Sequence, residues 1–99
     1  MKVFISQPMV DKTDEQIKEE RIRAINAIKE KYSDENVEIV DSFFEGAPHD
    51  AKPLWFLGKS IQLLSTADLA YFIGEWRKYR GCKAENYLAK EYGIATMEE

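Results

Sequence analysis

The sequence predicts an α/β domain, a parallel sheet with helices packed on both of its faces. Short, continuous apolar runs such as Val3-Phe4-Ile5 and Leu69-Ala70-Tyr71-Phe72-Ile73 read as strands buried on both sides. Longer charged stretches, with apolar residues recurring every three to four positions, read as amphipathic helices. The two kinds of segment alternate along the chain, with one irregular stretch in the middle. Right-handed crossovers turn such alternation into three layers around a parallel sheet of four to five strands.

The first strand is expected at Lys2 to Ser6, stopped by Pro8. From Thr13 to Tyr32, Ile17, Ile22, Ala24, Ile25 and Ile28 lie at helical spacing between charges. Thr13 and Gln16 form a capping-box pattern, and Asp14 and Glu15 suit the positive end of the helix dipole. Ser33 to Asn36 reads as a loop and Val37 to Val40 as a short strand. Ser42 to Pro53 contains Gly46, Pro48 and Pro53 and is expected to be irregular. In so small a domain, a loop of that length is usually functional. Leu54 to Ser65 reads as a helix with Leu54, Leu57, Ile61 and Leu64 on its apolar face. Asp68 to Ile73 is the next strand, followed by a polar loop from Gly74 to Gly81. A helix is expected from Cys82 to Tyr92, ended by Gly93, with a last strand over Ile94 to Met97. There are no repeats and no composition shift, so residues 1–99 read as a single domain.

Composition narrows the function. A formal net charge of −4 gives no broad basic surface, which argues against binding nucleic acid polymers. One cysteine makes no intrachain disulfide, and one histidine leaves no His-rich zinc site. A reducing, cytoplasmic setting is expected. No apolar stretch approaches the ~20 residues of a membrane helix, and the N-terminus lacks the features of a signal peptide. A chain of 99 residues has little core to spare, so a homodimer or higher homo-oligomer is expected.

In an open parallel sheet, ligands bind beyond the carboxyl ends of the strands, where the strand order reverses. That rule selects Ser6-Gln7-Pro8-Met9, the loop from Asp41 to Pro53 with His49 in it, and the segment from Gly74 to Glu85. Ser6 and Gln7 offer a hydroxyl and an amide suited to a sugar, a phosphate or a base edge. Glu85 lies near the start of the last helix, where the dipole favours an ionised carboxylate available as a nucleophile. It equally suits a plain stabilising role there. His49 on the loop is a candidate general base or an exposed histidine. Cys82 at a helix start is a candidate low-pKa thiol or a small packing residue. Asp68 reads as a strand-entry cap. Phe43, Phe44, Trp55 and Trp76 are candidates for base stacking, core or a subunit contact. No Gly-rich phosphate cradle is present, so no nucleotide cofactor is expected.

The segments FISQPM, PLWFLGKSIQLLSTADLAYF and RGCKAENYLAKEYGI together resemble the nucleoside 2-deoxyribosyltransferase-like superfamily. The likeness is to a compact group associated with phages and bacteria, related to the deoxynucleoside monophosphate N-glycosidases. It implies a flavodoxin-like sheet and cleavage of an N-glycosidic bond in a nucleoside or nucleotide, with no cofactor. Glu85 then occupies the place of the nucleophile that attacks C1′ of the sugar. Gly81 opens the same motif, and Ser6 and Gln7 match the turn that contacts the sugar or its phosphate. Ser60 stands where family enzymes carry an aspartate that helps protonate the departing base. Serine is a poor proton donor, which leaves His49 and Asp41 as candidates for that task. The same substitution raises the alternative of a non-catalytic protein that senses or sequesters a nucleotide.

Overall fold

In a computed structural model, residues 1–40 and 47–99 are described. Asp41, with Phe43 and Phe44, lies outside these residues. The elements are β1 (Lys2–Ser6), α1 (Asp14–Lys31), β2 (Glu38–Ile39), α2 (Pro53–Leu64), β3 (Leu69–Phe72), α3 (Arg80–Glu91) and β4 (Ala95–Glu98). A 3₁₀ turn over Trp76–Lys78 precedes α3. All four strands are parallel, in the order β2-β1-β3-β4, which is the flavodoxin-like arrangement.

Side chains alternate across a strand, and here that alternation sorts the core into two halves. Val3 and Ile5 of β1, with Leu69 and Tyr71 of β3 and Ile73 beyond it, pack against Ala24 and Ile28 of α1. Phe4, Ala70 and Phe72 face the other way, toward Leu64 of α2 and Cys82 and Ala89 of α3. One helix therefore covers one face and two cover the other. Ser6, two residues beyond Phe4, points into the layer of α2 and α3.

Thr13 caps α1 as its sequence predicts. Its hydroxyl accepts from the Gln16 amide at 3.1 Å, and the Gln16 side chain accepts from the Thr13 amide at 2.9 Å. One expected inward residue of α1 differs. Ile22 is 59 % exposed, because it lies about 120° around the helix from Ile28 at 100° per residue. The last helix also starts earlier than its sequence suggests, at Arg80 instead of Cys82, because the 3₁₀ turn leads straight into it. Gly93 ends that helix with a φ of 75°, a left-handed value that glycine adopts without strain.

The amino ends of β1 and β3 are fastened by Asp68. Its carboxylate accepts from the Lys2 amide at 2.7 Å, and its own amide donates to the Lys2 carbonyl at 2.8 Å. This is the strand-entry role expected from sequence. Strand β4 is held at its carboxyl end by ion pairs to three separate segments. Glu99 pairs with Arg23 of α1, while Glu98 pairs with Arg77 at 3.0 Å and Lys90 of α3 at 3.7 Å.

Candidate functional site

The strand order reverses between β1 and β3. From there the chain leaves β1 toward α1 on one face and leaves β3 toward α3 on the other, the topology that places ligand sites at the carboxyl ends of such strands. Ser6 ends β1 there, beside Phe72, and its carbonyl accepts the last ladder bond from the Ile73 amide at 3.0 Å.

Helix α3 presents Cys82, Glu85, Asn86 and Ala89 to the sheet, an i, i+3, i+4, i+7 stripe with two polar members. Glu85 is thus held where a core residue normally sits, and only 7 % of it is exposed. The Ser6 hydroxyl, itself buried, donates to Glu85 Oε1 at 2.8 Å. Seventy-nine residues separate the two in sequence. Burial pushes the Glu85 carboxyl up to about 7, and the Ser6 hydrogen bond acts against that rise by favouring the charged form. Sequence reasoning expected an ionised group at a solvated helix mouth. Instead, Glu85 is the sixth residue of α3 and desolvation outweighs the helix dipole, so it divides between acid and carboxylate near neutral pH.

Gly81 lies four residues before Glu85, on the same side of the helix. Glutamate side chains in helices lean back over the preceding turn, which here contains Gly81. A Cβ built on Gly81 would meet nothing within 4 Å. Helix geometry also leaves the amides of this first turn without intrahelical acceptors. Gly81→Ala is expected to keep or raise fold stability, by up to about 1 kcal/mol, because alanine is the better helix former. Thermal denaturation of the native and variant chains checks this.

The other predicted residues divide. Gln7 uses its amide Nε2 to donate to the Ile17 carbonyl at 2.7 Å, tying the exit of β1 to α1, while its Oε1 is buried without a partner among the described residues. Pro8 is buried behind it. His49 is exposed in a turn before α2, and Ser60 is half-buried on α2. Neither is hydrogen-bonded to Glu85 among the described residues. Cys82 is buried, and desolvation raises its thiol pKa, so it packs beside Ser6 and Glu85 and is no low-pKa nucleophile. Trp76 stacks on Phe72 at 5.3 Å with Arg77 over its outer face at 4.4 Å, which makes it core.

Asn86 was missed from sequence. It is 6 % exposed, and its Nδ2 lacks a partner among the described residues. The signal was present in the spacing of Cys82, Glu85, Asn86 and Ala89, but the two polar residues masked it. Among the described residues no three His, Cys, Asp or Glu side chains cluster as a metal site requires. No protein-family model, curated protein or solved structure matches this chain.

Proposed function

We propose that the protein cleaves or transfers at the N-glycosidic bond of a nucleoside or nucleotide, with Glu85 as the nucleophile. The observation that carries this reading is the buried Ser6–Glu85 hydrogen bond at the carboxyl edge of the sheet, at the reversal of strand order. A carboxylate kept at 7 % exposure carries a desolvation cost that a merely structural residue would not need. The resemblance of the FISQPM and RGCKAENYLAKEYGI segments to the nucleoside 2-deoxyribosyltransferase-like superfamily supplies the reaction class.

In this reading the ionised Glu85 attacks C1′ of the sugar. The C1′–O bond forms as the C1′–N bond breaks, and the bonding pair leaves with the base, which takes up a proton. Water or a second base then attacks C1′, and the Glu85 carboxylate is released. Ser6 fixes the attacking carboxylate and holds part of it in the charged form.

The pH dependence follows from the same group. Only the carboxylate is nucleophilic, so kcat/KM is expected to rise with pH through about 7 and then level off. Ser6→Ala removes the hydrogen bond that favours the charge, so the rising limb moves to higher pH. Turnover at pH 6 then falls by roughly tenfold, since a hydrogen bond to a charged group contributes about 1.5–3 kcal/mol. Rate profiles of both proteins against deoxynucleosides and their monophosphates check this. A flat profile, or no base released from any of them by folded protein, counts against the reading.

Ser60, in place of the family's aspartate, favours a second reading as a nucleotide-binding protein without turnover. Thermal stabilisation by a nucleotide that survives Glu85→Gln, together with no base release, selects that reading.

A further inference from the structure

The connection from β1 to α1 is held more firmly than a plain linker requires. Gln7 donates from Nε2 to the Ile17 carbonyl at 2.7 Å, which ties the exit of β1 to the body of α1. Pro8 follows and is buried. Met9 to Lys12 then closes a tight turn, in which the Lys12 amide donates to the Met9 carbonyl at 3.3 Å. Asp11 is the third residue of that turn, with a φ of 62°, the left-handed value that glycine or asparagine normally supplies there. Lys12 reaches both carboxylate oxygens of Glu20, at 2.8 and 2.9 Å. Among the described residues this is the least exposed ion pair.

The turn presents two apolar side chains to solvent. Met9 is 52 % exposed and Val10 65 %. Single exposed apolar residues are ordinary. These two are adjacent, and they stand on a turn tethered on both sides that buries little of them. A left-handed residue other than glycine carries strain, and strain kept where it serves no core points to a demand other than folding. The place of the turn suggests the demand. Ser6, three residues before Met9, donates to Glu85 at 2.8 Å. Three residues of chain reach at most about 11 Å, so Met9 stands within that distance of Ser6. A base bonded directly to the carbon that Glu85 attacks falls in the same range.

We propose that Met9 and Val10 form the wall against which the base of a bound nucleoside packs. This rests on the reading of Glu85 as the group that attacks C1′, which fixes where the base begins. Valine has no hydrogen-bonding group and methionine only a weakly accepting sulfur. Such a wall holds a flat ring by dispersion, and the methionine sulfur adds a favourable contact with an aromatic system. It sorts bases by size and not by their hydrogen-bond pattern, so purine nucleosides are expected to bind roughly several-fold tighter than pyrimidine ones. Because the turn is tethered before ligand arrives, little ordering is lost on binding.

The test is methyl NMR of the intact chain labelled at its three methionines, Met1, Met9 and Met97. Deoxyadenosine is expected to shift the Met9 methyl through the ring current of its base, whereas 2-deoxyribose, which has no base, does not. Met1 and Met97 pack against the α1 side of the core and serve as controls. The same titration on Glu85→Gln, which does not consume the nucleoside, gives the affinity. In that background Met9→Ser and Val10→Ser, both at exposed positions, are each expected to weaken binding of deoxyadenosine by about tenfold. Ile22→Ser, exposed on α1, leaves it unchanged. A Met9 methyl that stays fixed with all the common deoxynucleosides overturns the proposal. So does an equal shift with 2-deoxyribose, or an affinity untouched by both serine variants. The reading of Glu85 fails separately: a Met9 shift without base release keeps the wall and removes the nucleophile, and base release without a Met9 shift does the reverse.

Discussion

Glu85→Gln is expected to abolish base release, lowering kcat/KM by about 10³-fold or more, while making the protein more stable at pH 8. In the proposed reaction the loss is that of a nucleophile: an amide oxygen would not form the glycosyl intermediate. The gain follows from linkage. The folded state holds the Glu85 proton more tightly than the unfolded chain does, with a pKa of about 7 against an ordinary 4.5. The contribution of this group to stability is therefore complete below pH 4.5 and is lost as pH rises through about 7. The total is about 3 kcal/mol, at 1.36 kcal/mol per pKa unit. Glutamine carries no charge to desolvate and still accepts from Ser6, so it removes that slope. Denaturant melts at pH 5 and pH 8 give the comparison: the native chain loses stability between them and the variant loses less. A variant that is inactive and also less stable at pH 8 would assign Glu85 to the framework.

Phe72→Ala is expected to be the most damaging single change in the core. Phe72 ends β3, is fully buried, and packs beneath Trp76 on the face shared with α2 and α3. Removing the ring costs about 3–5 kcal/mol in lost transfer energy and cavity formation. For a domain whose total stability is about 5–15 kcal/mol, that is a large share of the whole. The same truncation loosens the floor beside Ser6, to which Phe72 is paired in register. Urea unfolding is expected to show a lower midpoint with an unchanged slope. A midpoint shift worth less than 1 kcal/mol would mean that neighbouring side chains refill the space.

The architecture was legible because strands and helices here differ in period. Val3-Phe4-Ile5 and Leu69 to Ile73 are apolar without interruption, as central strands of a covered parallel sheet must be. The Thr13–Gln16 cap announced α1 in the same way. The site was only half legible. Topology placed Ser6 and the start of α3 at one edge, but no local pattern says that residues 6 and 85 touch. The inward stripe of α3 is hard to read because it is not apolar: Glu85 and Asn86 face the sheet with Cys82 and Ala89, while Ala84 and Leu88 are only half-buried. A helix that spends two core positions on polar side chains breaks the binary pattern, and such breaks mark places where folding is not the only demand. The protonation of Glu85 was misjudged for the same reason, since it depends on burial that only the third dimension provides.

The fastening of β4 has a consequence for how the molecule meets its neighbours. A strand at the border of a sheet offers a free row of amides and carbonyls to any extended chain that comes near. Here that border ends in Glu98 and Glu99, each gripped by cations from other layers. The opposite border, β2, is only two residues long. An incoming strand would have to lie against carboxylates on one side and would find almost nothing to pair with on the other. Among the described residues the sheet stops at four strands, and neither of its borders invites a fifth from outside.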